Sequence, residues 1–123
     1  GGVQLDLMGQ ENAESTGTRQ LSGIGGQMDF LEGAYRSKGG KGFICINSSR
    51  VTKDGERKSN ILATIPGGST ISAPRTMIQY VATEYGIASL SGKTLRERAE
   101  AMASIAHPDF REELMKYAQE NFK

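Results

Sequence analysis

Residues 22–47 read SGIGGQMDFLEGAYRSKGGKGFICIN. Three glycines crowd into Gly23, Gly25 and Gly26. An amphipathic run then predicts a short helix over Gln27–Arg36, with Phe30, Leu31 and Ala34 inward. Ser37–Gly42 is a second glycine loop. Phe43–Asn47 is almost wholly apolar, as expected of a central strand covered on both faces. Glycine loop, helix, glycine loop and buried strand in succession point to a layered α/β domain.

The flanks extend that pattern. Val3–Met8 alternates, placing Val3, Leu5 and Leu7 on one strand face. Gly9–Ser22 is polar and reads as loop. Ser48–Ser59 is charged and reads as an exposed turn around Asp54-Gly55. Asn60–Ile65 and Met77–Thr83 are predicted strands, and Thr70–Ala73 a shorter one. Thr94-Leu95-Arg96-Glu97 is a capping box, followed by Leu95, Ala99, Met102, Ala103 and Ala106 at helical spacing. Pro108 suits the first turn of a last helix, with His107 as its cap and Phe110, Leu114, Tyr117 and Ala118 inward. The expected fold class is a layered α/β/α domain with a mostly parallel or mixed sheet over residues 1–123.

Composition narrows the function. The chain has 123 residues and a formal net charge of +1 with both signs interspersed, so no basic stripe marks a nucleic-acid partner. No apolar run approaches membrane-spanning length. One cysteine, Cys45, forms no internal disulfide and suits a reducing, cytoplasmic setting. Mid-strand between Ile44 and Ile46, it is expected in the core. With His107 the only histidine, a zinc site lacks its usual ligands, and no metal is expected. The opening Gly1-Gly2 reads as a cloning remnant, and the start inside a strand as a piece cut from a longer protein.

The candidate chemistry lies in the loops. Gly23, Gly25, Gly26 and Gln27 precede a helix, whose free N–H groups and dipole favour an anion or an oxyanion. Gly39 and Gly40, flanked by Lys38 and Lys41, offer similar bare backbone. Both loops also read as tight turns that need positive φ, the commoner use of glycine in α/β domains. The first is not a dinucleotide fingerprint, because its third glycine would fall at Met28. Glu84 follows a predicted strand and precedes Gly86, where a carboxylate can act as nucleophile, base or orienting group, or simply cap a turn. Asn12, beside Glu11 and Glu14, can position another carboxylate or close a local Asx-turn. Lys93–Arg98 reads as a solvated helix face or a weak phosphate contact.

Three longer pieces carry a resemblance: GGQMDF at Gly25–Phe30, TEYGIASLSGKTLRERA at Thr83–Ala99, and IAHPDFR at Ile105–Arg111. Together they resemble the C-terminal domain of the acetyl-CoA hydrolase/transferase family, in its 4-hydroxybutyrate and butyryl/acetate CoA-transferase branch. The resemblance covers nearly the whole chain. It implies an enzyme of two similar α/β domains with the active site between them, taking coenzyme A from an acyl-CoA to a carboxylate. A glutamate upstream of this segment would attack the thioester, form an acyl-glutamyl anhydride and then carry CoA as a glutamyl thioester. The chain by itself would be inactive. The resemblance makes Asn12 and Glu84 supporting catalytic residues, and makes the loops of Gly23–Gln27 and Gly39-Gly40 the lining of the CoA pocket. It implies an N-terminal domain as partner, acyl-CoA and a carboxylate as small-molecule substrates, and a homo-oligomer. The alternatives are an acetyl-CoA hydrolase domain, a non-catalytic CoA- or nucleotide-binding module, or a small hydrolase using Glu84 or Cys45.

Overall fold

A computed structural model describes residues 2–123. In chain order the strands are β1 (Gln4–Asp6), β2 (Glu11–Asn12), β3 (Ser15–Thr16) and β4 (Arg19–Gln20), followed by helix α1 (Gln27–Arg36). Next come β5 (Phe43–Cys45), β6 (Ser49–Val51), β7 (Arg57–Ser59), β8 (Ile61–Leu62), β9 (Tyr80–Thr83) and β10 (Gly86–Ser89). Two helices end the chain, α2 (Leu95–Ser104) and α3 (Pro108–Asn121).

Two small mixed sheets organise these elements. In the first, β1 is central, antiparallel to β2 and parallel to β8. In the second, β9 is central, antiparallel to β10 and parallel to β5. β3–β4 and β6–β7 are separate antiparallel hairpins. The fold is mixed α/β, and both sheets join one core. Leu5, Leu7 and Ile61 enter it from the first sheet, Ile44, Val81 and Ala88 from the second, and Leu31 from α1. Ala99, Met102, Ala103, Leu114 and Ala118 enter it from α2 and α3, which pack on each other.

Local signals set the helix boundaries. α1 spans the predicted residues. At α2, Thr94 Oγ1 accepts from the Glu97 amide while Glu97 Oε2 accepts from the Thr94 amide. At α3, His107 Nδ1 accepts from the Asp109 amide and Pro108 opens the helix.

Several expectations need correction. Phe30 does not face inward; it is 82% exposed, and Leu31 alone of the expected three is fully buried. Leu95 is also exposed. β5 is not covered on both faces. It pairs only with β9 among the described residues, and Phe43 and Cys45 are exposed while Ile44 is buried. Cys45 is therefore not a core residue. The expected loop over Gly9–Ser22 contains β2, β3 and β4, and Ser48–Ser59 is a β-hairpin whose base, Ser48 and Ser49, is buried. Residues 70–73 give only a single bridge, Glu11 to Ala73. The first strand does not alternate, because Gln4 and Asp6 are buried alongside Leu5.

One polar side chain locks the sheets together. Arg98, on α2 and 9% exposed, donates through Nε and Nη2 to the Met8 carbonyl, through Nη2 to Arg75 and through Nη1 to Leu90. Met8 follows β1 and Leu90 follows β10, so the guanidinium spans both sheets. Replacing Arg98 by Met would strand three carbonyls. Unfolding by urea should show a loss of about 3 kcal/mol or more, against about 1 kcal/mol for the exposed cap variant Thr94→Ala.

Candidate active site

β5 and β9 run parallel, and their carboxyl ends open into a shallow cleft of about 500 Å³. Cys45, Ile46 and Asn47 line it from β5, and Ala82, Thr83 and Glu84 from β9, with Gly2 at its edge. Such strand ends are where ligands sit in open α/β sheets.

Glu84 is placed by a tight hairpin. Glu84 and Tyr85 form the two-residue turn between β9 and β10, with Thr83 paired to Gly86. Thr83 Oγ1 donates to the Ile105 carbonyl and accepts from the Tyr85 amide, which fixes the turn to the end of α2. Across the cleft, the Ser48 amide donates to Glu84 Oε1 at 2.7 Å. Glu84 is exposed; desolvation pushes its pKa up, but the hydrogen bonds around it, Ser48's foremost, and the nearby His107 together outweigh this and hold it below its ordinary value. Glu84 is thus an anion at neutral pH. That suits attack on a carbonyl, or orientation of a hydroxyl, amide or water. It does not suit proton donation.

Asn12 lies in a different environment. It is fully buried, and its Nδ2 donates to the Ser15 carbonyl at 2.8 Å. Its Oδ1 accepts from the Glu14 and Ser15 amides. The side chain closes a local turn and makes no contact with Glu84.

Gly23, Gly25 and Gly26 form an exposed loop that ends in Gln27 at the first turn of α1. Gly25, with φ of +61°, has a conformational reason to be glycine. Gly23 has none: a Cβ there would meet nothing within 4 Å. At Gly26 the added atom would meet only Phe30, at 3.8 Å, an ordinary contact. Gly39 and Gly40 stand at the other end of β5, away from Glu84. A Cβ at Gly40 would collide with the Ala34 carbonyl, so close packing on α1 explains that glycine. The structure brings Gly39-Gly40 neither to Glu84 nor to the first loop.

A residue not singled out from sequence, Glu11, links the first loop to the cleft. It lies beside Asn12 on β2 but points the opposite way. Its Oε1 accepts from Gln27 Nε2, and its Oε2, fully buried, has no hydrogen-bond partner. A Cβ at Gly2, on the cleft edge, would collide with that oxygen. Burial raises the Glu11 pKa to about 7. The sequence held no signal for it, because Glu11 stands in a polar run that reads as loop and its partner Gln27 lies 16 residues away.

This is a mixed α/β domain with an anionic carboxylate at paired strand ends and an exposed glycine loop opening a helix. The acetyl-CoA hydrolase/transferase C-terminal domain family matches residues 1–118, and the chain belongs to that family. It is 49% identical over 117 residues to the butyryl-CoA:acetate CoA-transferase of Anaerostipes caccae, covering 95% of this chain and 26% of that protein. It is 49% identical over 120 residues to the 4-hydroxybutyrate coenzyme A transferase of Clostridium kluyveri, covering 98% and 27%. Among solved structures, RipA from Yersinia pestis superposes with a TM-score of 0.82 at 39% identity, covering 97% of this chain and 26% of that one. The 4-hydroxybutyrate CoA-transferase of Porphyromonas gingivalis superposes with 0.73 at 40% identity, covering 98% and 25%. The chain spans about a quarter of the length of these relatives.

The two carboxylates affect stability in opposite pH directions. Glu11 binds its proton more tightly folded than unfolded, so its contribution is largest below the unfolded value of 4.5 and is lost as pH rises through about 7. The Glu84 pKa is depressed, so its contribution is present above 4.5 and is lost as pH falls through the folded value. Thermal melts from about pH 4 to 8 should be flatter above about pH 5 for Glu11→Gln. Glu84→Gln should lower the melting temperature at neutral pH and have little effect in acid.

Proposed function

We propose that this chain is the C-terminal domain of an acyl-CoA:carboxylate CoA-transferase, of the kind that uses butyrate, 4-hydroxybutyrate or acetate. The carrying observation is the loop at Gly23–Gly26. Two of its glycines meet no steric need within their own fold. Bare backbone that the fold does not require is explained by something outside approaching it closely. A thioester carbonyl becomes an oxyanion when attacked, and fixed N–H donors at a helix start stabilise it without reorganising.

In this reading the nucleophilic glutamate belongs to the part of the protein before this chain. Its carboxylate attacks the acyl-CoA carbonyl, expels the CoA thiolate and forms an acyl-glutamyl anhydride. The thiolate then attacks the glutamyl carbonyl, releasing the acyl group as a free carboxylate and leaving a glutamyl-CoA thioester. The acceptor carboxylate reverses these steps. Glu84, anionic and fixed by Ser48, orients hydrogen-bond donors in the cleft. Asn12 acts indirectly, by shaping the turn after β2. Gly39-Gly40 shapes the far end of β5, and any contact it makes with CoA is to a distant part of that long molecule. The N-terminal domain is the partner of this chain, acyl-CoA and the carboxylates are the substrates, and the whole protein is a cytoplasmic homo-oligomer. The exposed Cys45 thiol suits a reducing compartment.

Gly23→Ala tests the reading in the full-length protein. The methyl group has open space, so stability should stay within about 0.5 kcal/mol of wild type. The KM for acyl-CoA in transfer to acetate should rise about tenfold. An unchanged KM would remove the argument from the loop. Absence of transfer by the wild-type protein would remove the function.

A further inference from the structure

We propose that Glu11 is a positioning residue that sets the glycine loop by gripping the Gln27 side chain. Gln27 ends the loop and begins α1, so its amide is the handle by which the 23–26 backbone can be fixed. Its Nε2 donates to Glu11 Oε1, 16 residues away in the chain. Glu11 itself is anchored on both sides of its backbone. Its amide donates to the Ala73 carbonyl at 3.1 Å, and its carbonyl accepts from Ser72 and Ala73. Residue 11 pairs with Leu5 of the central strand β1, whose side chain is fully buried. The loop is thus tied through one side chain to a buried, paired part of the first sheet.

The fold alone does not explain a carboxyl group here. Glu11 is fully buried, forms no ion pair among the described residues, and leaves Oε2 without a partner. A buried polar atom without a partner is destabilising, and an apolar side chain on β2 would avoid that. What the carboxyl supplies that an apolar side chain cannot is an acceptor for Gln27. The exposed loop makes few contacts of its own, so without that hold its amides would sample many orientations. Oxyanion donors act only when fixed in advance.

The inference leans on the transferase reading only for its kinetic test. In the full-length protein, Glu11→Ala, Gln27→Ala and the double variant are compared by hydrogen exchange of the segment 22–31. Exchange there should rise about tenfold in each single variant and no further in the double, with the rest of the protein unchanged. The kcat for transfer from acyl-CoA should fall about tenfold in each and no further in the double, with KM within about twofold. Glu11→Gln keeps an oxygen facing Gln27 and should restore both readouts most of the way. Unchanged exchange at 22–31, exchange raised throughout the protein, or additive losses in the double variant would overturn the proposal. If the wild-type protein transfers no CoA, the transferase reading fails, and the exchange data still decide the role of Glu11.

Discussion

The guanidinium of Arg98 gathers carbonyls from the turn after β1, from residue 75 and from the end of β10. No strand of one sheet pairs with a strand of the other among the described residues. Backbone links between the sheets are few, such as Asn60, which accepts from Leu5 and donates to the Ser48 carbonyl, and most of the side chains between them are apolar and non-directional. Arg98 is the directional side chain that reaches furthest across them. Its planar fork fixes three backbone segments at once, which a lysine ammonium could not reproduce. Burial and the charge of Arg75 pull its pKa down, while Asp6 opposes them. The group stays charged, so each of these hydrogen bonds is of the stronger, charge-assisted kind. The turn it grips also depends on Gly9. With φ of +87°, that residue brings its backbone to where a Cβ would lie 2.9 Å from Arg98 Nη2.

That relation between the sheets places the site. Glu84 is carried by the second sheet and Glu11 by the first. The glycine loop is bound to the first sheet through Gln27, and the Glu84 turn to α2 through Thr83. The gap between loop and carboxylate is thus set by how the sheets sit on each other, with α2 as the common support. The core residues of α2 and Arg98 lie on the same helix, so packing and polar bridging act together. A fault in the Arg98 bridge would displace the site without touching it.

Local chemistry was legible in the sequence, and pairing was not. α1, the Thr94 cap and the Pro108 helix start each depend on residues within four positions, and the structure has all three. β2, β3 and β4 are two residues long and exist only because distant partners meet them, so Gly9–Ser22 reads as loop from within. β10 lies beyond the Glu84-Tyr85 turn and its pattern is brief. The run Phe43–Asn47 is apolar enough to suggest cover on both faces, yet apolarity does not say what lies on each side, and Cys45 faces the cleft. The same division holds at the site. Glu84 and the glycine loop were visible by residue type and position. Glu11 was not, because its meaning depends on Gln27 and on burial under Gly2. Asn12 was visible, but its buried hydrogen bonds give it the turn role that a short polar side chain also predicts.

The two acids, Glu11 and Glu84, show how one domain can hold carboxyl groups for different purposes. Both descend from a side chain with the same intrinsic acidity. Glu84 faces a cleft and receives a backbone amide, so its charge is stabilised and remains available to a ligand. Glu11 is enclosed, receives one side-chain amide, and keeps its proton to about pH 7. A second fixed anion near the glycine loop would oppose an oxyanion forming there, since like charges in a poorly solvated site repel strongly. With a pKa of about 7, Glu11 carries only part of that charge near neutral pH and still gives the Gln27 amide its acceptor. Burying Glu11 lowers the stability of the sheet, yet it allows a carboxyl group to hold the loop with less negative charge than an exposed acid would bring.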